Sequence, residues 1–317
     1  MGQKTSACTF RLGVNKKNWE LKYVEKNIEE SSLYLYETLE VRKYLNRFFG
    51  LYKIKIHTCK IFYCSNSLQI FISFYITAKT IYIINKINTN KNLTRFIKKK
   101  ERKKRFISKR LQTRKKKYVS ILIKRFAIQQ TIVLNEFQEI LLESLTAYTN
   151  KKININITLQ NLNGYKQLPH NQIKDFKIIF KQLKKFVKSS FFKETINILF
   201  LNVSKRKSAK LLAEFISDQF KLNQLKFDQV TISRKDNYFL GFLKQVIKLF
   251  TKFQNSCVTG IKIVIKGRFN RAPRAKKIII QFGTFSIQSF DSNIDYYQST
   301  AYTANGTFGV KVWMCEN

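Results

Sequence analysis

The residues with the most chemistry in this chain are arginines and lysines set in a short loop signal. Gly267-Arg268-Phe269-Asn270-Arg271-Ala272-Pro273-Arg274-Ala275-Lys276-Lys277 follows the apolar alternating run Ile261–Ile265. Small residues let such a loop approach another backbone closely. The guanidinium groups of Arg268, Arg271 and Arg274 offer flat, multi-donor contacts to phosphate, with Lys276 and Lys277 as point charges beside them. Phe269 is placed to stack on a base or to pack inward. From these residues alone, a phosphate-binding loop and a solvated hairpin loop are both open.

The surrounding composition favours the first. The 317 residues include 60 Lys and Arg against 19 Asp and Glu, a formal charge of +41. Self-repulsion on that scale adds nothing to a fold, so a polyanion is the expected partner, either nucleic acid or an anionic membrane surface. The densest charge lies between Arg95 and Lys117, where 14 of 23 residues are basic. Lys98, Lys99, Lys100, Arg102, Lys103, Lys104, Arg105, Arg114, Lys115, Lys116 and Lys117 are its candidate RNA contacts. A run this basic cannot sit in a core; it reads as an insertion that is solvated when free and ordered along phosphates when bound.

Enzymatic constellations are not found. The two histidines, His57 and His170, stand apart, and no GxSxG, P-loop or HExxH motif occurs. Asp291 and Asp295 are near enough to suggest a nuclease metal pair, but acids there more often cap turns or pair with lysines. Cys8, Cys59, Cys64, Cys257 and Cys315 lack CxxC spacing and read as reduced thiols, so neither a metal nor a cofactor is expected.

A membrane reading has one motif. Met1-Gly2-Gln3-Lys4-Thr5-Ser6 fits the N-myristoylation pattern, and the polybasic run would supply the second signal of a peripheral anchor. No signal peptide opens the chain. The apolar stretch Ile61–Ile84 is broken by Ser65, Asn66, Gln69, Ser73 and Lys79, which suits strands better than a span.

The elements that must position these residues follow from periodicity. Helical spacing of Leu21, Val24, Ile28, Leu35, Leu39, Tyr44, Leu45 and Phe48 predicts a helix over 20–49, with Gly50 in the left-handed position after its last turn. Strands are predicted at Lys53–Tyr63 and Leu68–Ile84 with a turn at Ser65-Asn66-Ser67, a helix at Val133–Tyr148, and a strand at Lys151–Gln160. Residues 161–208 show no firm period. Helices are predicted at Ser208–Leu222 and Asn237–Phe253, then strands at Gly260–Phe269, Ala275–Phe282, Thr284–Asp291 and Thr307–Cys315. The expected class is α+β in two domains: 1–160 with a basic insertion at about 85–130, an inserted or linking region 161–207, and 208–317 with a mostly antiparallel sheet.

The two ends of the chain also carry a recognisable pattern. Gly260-Ile261-Lys262-Ile263, Gly267-Arg268, Ala272, Ala275-Lys276, Ile294-Asp295-Tyr296, Ala301, Thr303, Gly306 and Gly309-Val310-Lys311-Val312-Trp313 stand in register at one end. Met1-Gly2-Gln3-Lys4, Arg11-Leu12-Gly13 and Val41-Arg42-Lys43-Tyr44-Leu45 stand at the other, with a weaker match through Ala213–Gln219. Together they resemble the small-subunit ribosomal protein three family, in its bacterial type. Where that family usually has Ala-Arg, this chain has Ala275-Lys276.

The resemblance implies an N-terminal type II KH-like domain, a C-terminal α/β domain and no catalytic activity. It implies a place in the head of the small ribosomal subunit, on the side where mRNA enters, with ribosomal RNA, mRNA and neighbouring head proteins as partners and no small-molecule substrate or membrane. It adds Lys4 and Arg11 to the candidate RNA contacts, and accounts for Gly2-Gln3-Lys4 without lipidation. Two departures stand out. A KH domain clamps nucleic acid with a GxxG loop, but no glycine lies between Gly50 and Gly164, and the corresponding stretch is Ile128-Gln129-Gln130-Thr131-Ile132. On the helix that the family turns toward mRNA, Tyr238-Phe239-Leu240-Gly241-Phe242-Leu243-Lys244 keeps Lys244 alone. Abundant Phe, Tyr, Ile, Asn and Lys, with only 10 Gly and 2 Pro, match A- and T-rich codons. That bias points to an organelle genome, the mitochondrion before the plastid.

Overall fold

The computed structural model describes residues 5–13, 20–25, 27–64, 67–77, 80, 137–149, 154–164, 179, 181–187, 189, 191–203, 208–224, 238–251, 258–269, 273–304 and 306–316. The whole basic run, Lys4, Arg271, His170 and residues 128–132 lie outside them. The chain divides into two compact units, one of residues 20–163 and one joining residues 1–19 to 164–317.

The 20–163 unit is a four-stranded sheet with helices against it. Its elements are β1 (Leu21–Lys22), α2 (Glu30–Leu51), β2 (Ile54–Tyr63), β3 (Ser67–Ile76), α3 (residues 137–148) and β4 (Asn154–Asn161). The strand order is β1-β2-β3-β4, with β2–β3 antiparallel and the two outer pairs parallel. The helix begins ten residues later than its spacing predicts. Leu21 is drawn into a parallel pair with Ile61, while Val24 and Ile28 stay exposed. The face that α2 buries is Thr38, Val41, Leu45, Phe48 and Phe49, so Leu35 and Leu39 lie outside the core. Gly50 sits within the helix, and Lys53, at φ 59°, makes the left-handed reversal instead. The hydroxyls of Thr77 and Thr80 both donate to the Lys53 carbonyl, 3.2 and 2.8 Å away, and hold that reversal.

The core of this unit is aromatic and aliphatic. Phe48, Phe49 and Phe137 meet one another at ring separations of 4.6–6.1 Å, and Tyr44 donates to Ser144 at 2.7 Å across the two helices. A bulge at His57 is knitted by buried Ser73, which bonds His57 Nδ1 and the amide and hydroxyl of Thr58. His57 is thereby a structural residue. Tyr63 is 9% exposed, and burial pushes its phenol up to about 12. A raised acid pKa means the fold holds the neutral form; its stabilising contribution is whole below about pH 10, the unfolded value, and is lost as pH rises through 12. Tyr63→Phe removes the group that must ionise, so its alkaline unfolding midpoint, followed by far-UV circular dichroism, should lie above the parent's.

The second unit begins with α1 (Ala7–Phe10) and continues with α4 (Phe192–Val203), α5 (Ala209–Gln224), α6 (Tyr238–Thr251), β5 (Val258–Gly267), β6 (Lys276–Gly283), β7 (Asn293–Thr303) and β8 (Gly306–Glu316). These four strands form an antiparallel sheet in the order β6-β5-β8-β7. Alternation splits each strand between two faces. Ile261, Ile263, Ile265, Ile280, Val310, Val312 and Met314 are buried on the face that α5 and α6 cover. A strand predicted at Thr284–Asp291 is not formed; those residues make a loop, and the strand runs from Asn293. Gly283, at φ 83°, ends β6 where an added Cβ would strike the Thr259 carbonyl.

Residues 1–160 do not form one body. Ala7 packs with Ile294 and Cys315 on the C-terminal sheet, and Arg11 is buried there.

Candidate nucleic-acid interface

The loop between β5 and β6 is built from beneath. Phe269 is 7% exposed and packs edge-on against Phe220 of α5 and Phe308 of β8, at 6.2 and 5.3 Å. Phe220 and Phe308 stack at 5.1 Å with planes 9° apart. Gly267 has no side chain because the Phe308 ring fills the space a Cβ would need. Of its two open readings, Phe269 therefore takes packing, and it anchors the loop. Above this floor Arg268, Arg274, Lys276 and Lys277 are all exposed. Register sets Lys276 opposite Gly267 and Lys277 opposite Lys266, on alternate faces of β6.

The other candidates separate. Arg11 is 1% exposed, which corrects its reading as an RNA contact. Its Nη1 donates to the Ala7 carbonyl at 3.1 Å, and Nη2 to the carbonyls of Ile287 and Ser289 at 2.5 and 2.6 Å and to Ser292 Oγ at 3.1 Å. A guanidinium taken out of water this way needs those acceptors and has little left for phosphate. It pins the first helix to the 287–292 loop. Lys244 is exposed on α6, whose opposite side buries Phe239, Phe242, Leu243, Val246 and Ile247. Lys248, one turn on, is exposed beside it and was overlooked; its i, i+4 relation to Lys244 was the available signal.

Of the acidic pair, Asp295 is taken up in capping a helix. Asp295 accepts from the Ala209 amide at 2.8 Å, and the Ser208 hydroxyl accepts from Leu211 at 3.1 Å, so both cap the start of α5. Among the described residues no group of three or more His, Cys, Asp and Glu is placed to hold a metal ion. No described helix is long and apolar enough to cross a membrane.

Sequence reading also missed three lysines on the sheet itself. Lys262, Lys266 and Lys311 share with Lys277 the face turned away from α5 and α6. The period-two spacing of Lys262-Ile263-Val264-Ile265-Lys266 and of Lys311-Val312-Trp313 carried that information once the helix-covered face was known.

Comparison with known proteins agrees with this half of the chain. Residues 240–314 match the family model described as ribosomal protein S3, C-terminal domain. The small ribosomal subunit protein uS3c of Euglena longa is 28% identical over 167 residues, covering 52% of this chain and 72% of that protein. The uS3c of Cyanidium caldarium is 38% identical over 73 residues, 23% of this chain and 35% of its own length. The uS3 of Trichodesmium erythraeum (strain IMS101) is 35% identical over 75 residues, 24% of this chain and 31% of its own. With the last two, the shared stretch is about a third of the relative's length. These relatives are all named as small ribosomal subunit proteins.

Proposed function

We propose, on the premise that this chain belongs to the ribosomal protein S3 family through its C-terminal part, that it is a structural, RNA-binding constituent of an organellar small ribosomal subunit. The observation that carries the reading is that Arg268, Arg274 and Lys276 are exposed beside the buried Phe269 in the part that matches the family. Exposed guanidinium and ammonium groups suit phosphate-backbone contact that positions rather than reacts. Lys244 and Lys248 on α6 extend the basic surface along the helix that the resemblance turns toward mRNA. Ribosomal RNA, mRNA and neighbouring head proteins are the partners in this reading.

The 20–163 unit takes the KH-like part. Its helix, two strands, helix and strand, with β4 parallel to β3, support that assignment. Without a GxxG loop it lacks the clamp for single strands, so its contribution is a scaffold and the grip passes to basic surfaces. The sequence placed the organelle as the mitochondrion first. The uS3c names, the plastid form, among the relatives favour the plastid, and immunodetection in purified organelles decides between them.

The test is ribosomal-RNA binding by Arg268→Gln, Arg274→Gln and Lys276→Gln combined. Each phosphate contact contributes about 0.7–0.9 to the slope of log affinity against log salt. The triple variant should lose about 2–3 units of slope and sediment away from small subunits. An unchanged slope with normal co-sedimentation would sink the reading.

A further inference from the structure

The outer face of the C-terminal sheet has its own charge pattern. Lys266 on β5 lies directly opposite Lys277 on β6, and both are exposed. Cross-strand partners stand about 4.5–5.5 Å apart at Cβ, and like charges at that distance weaken a sheet. By register, no Asp or Glu occupies an outer-face position of β5, β6, β7 or β8 to relieve them. Half-buried Lys311 extends the charge along the neighbouring strand, opposite Val264.

On the other side of Lys266 the register partner is Gly309. Its φ is not in the left-handed region, and a Cβ built there would meet nothing within 4 Å. The fold therefore does not require glycine at 309. A strand glycine with open space above it leaves room for a partner's backbone to come close. The covered end of the same face shows the contrast: there Ala7, Phe285 and Trp313 pack together, and Lys262 lies 5.7 and 6.0 Å from the Phe285 and Trp313 rings.

We infer that the open part of this face is a second RNA seat, in which phosphate groups lie between Lys266, Lys277 and Lys311 and the RNA backbone descends over Gly309. Phosphate is the occupant that removes the like-charge conflict of the lysine pair, and glycine is the residue that lets a backbone reach it. The inference rests on the RNA-binding reading above but is tested at residues outside the Arg268, Arg274 and Lys276 set, so the two can fail separately.

The experiment measures full-length chain binding to ribosomal RNA across a salt series, for Gly309→Leu and for Lys266→Gln with Lys277→Gln. Gly309→Leu should lower affinity about tenfold with an unchanged or raised melting temperature, since strand propensity improves on replacing glycine. The lysine double variant should reduce the salt slope by about 1.4–1.8, two contacts' worth. If only the Arg268, Arg274 and Lys276 variant weakens binding, this seat is wrong and the loop reading stands. If the face variants bind RNA normally yet fail to enter small subunits, a protein neighbour occupies the face and the inference is overturned. A parent chain that does not bind RNA overturns both.

Discussion

Arg11→Ala should cost the C-terminal unit about 3–5 kcal/mol, a large loss for one surface-to-core pin. Hydrogen bonds from a charged donor are worth about 1.5–3 kcal/mol each, and Arg11 makes them to three carbonyls and a hydroxyl. Truncation leaves those carbonyls without their charged donor. The damage should be local at first: α1 detaches, and the cluster of Ala7, Phe285 and Trp313 opens. Emission of Trp313, read in a Trp19→Phe background, should shift to the red before the far-UV signal changes. Arg11→Lys should rescue little, because a compact ammonium cannot fork to acceptors on both sides. Unchanged emission and melting in Arg11→Ala would show that the pin holds nothing.

Phe308→Ala should be the second severe change, and it links stability to binding. The ring is 3% exposed, stacks on Phe220, meets Phe269 edge-on, and fills the space above Gly267. Removing a buried phenylalanine costs about 3–5 kcal/mol in transfer and cavity terms. Because Phe269 loses half its floor, the loop that displays Arg268 and Arg274 should gain freedom and pay more ordering entropy on binding. Weaker RNA affinity with an unchanged salt slope would mark this indirect effect, since the charges are still present. A reduced slope would mean instead that Phe308 supports the charges only by keeping the whole domain folded. Phe308→Leu, which keeps most of the volume, should recover the greater part of both losses.

The sequence was most legible where one physical signal dominated. α5 and α6 lie within two residues of their predicted spans because their apolar stripes face a single sheet. β7 was missed because it reads as polar: Asn293-Ile294-Asp295-Tyr296-Tyr297-Gln298-Ser299-Thr300. Much of its inner face meets α5 through hydrogen bonds, Asp295 to the Ala209 amide and Ser299 to Ser217, so burial there does not need aliphatic side chains. Residues 284–291 drew the prediction instead, since Phe285 and Ile287 alternate with polar neighbours, but the Ile287 and Ser289 carbonyls are turned to Arg11. Residues 20–29 failed for a related reason: an apolar residue can satisfy helical spacing and still be claimed by a strand far along the chain. The binding surface was half visible. Arginines in a loop announce themselves, whereas lysines on alternate strand positions become a surface only when the other face is known to be covered.

The Arg11 pin spans 276 residues of sequence to Ile287, and that distance orders events during synthesis. The 20–163 unit has all its strands as soon as β4 has left the peptidyl-transfer tunnel, and it can close while the rest is still being made. The first helix must wait, its arginine without the 287–292 carbonyls, until almost the whole chain has emerged. A polypeptide stalled before β7 therefore leaves Arg11 and the first helix without their partners at 287–292. On the proposed ribosomal reading, docking of the first helix then reports that the C-terminal sheet is complete.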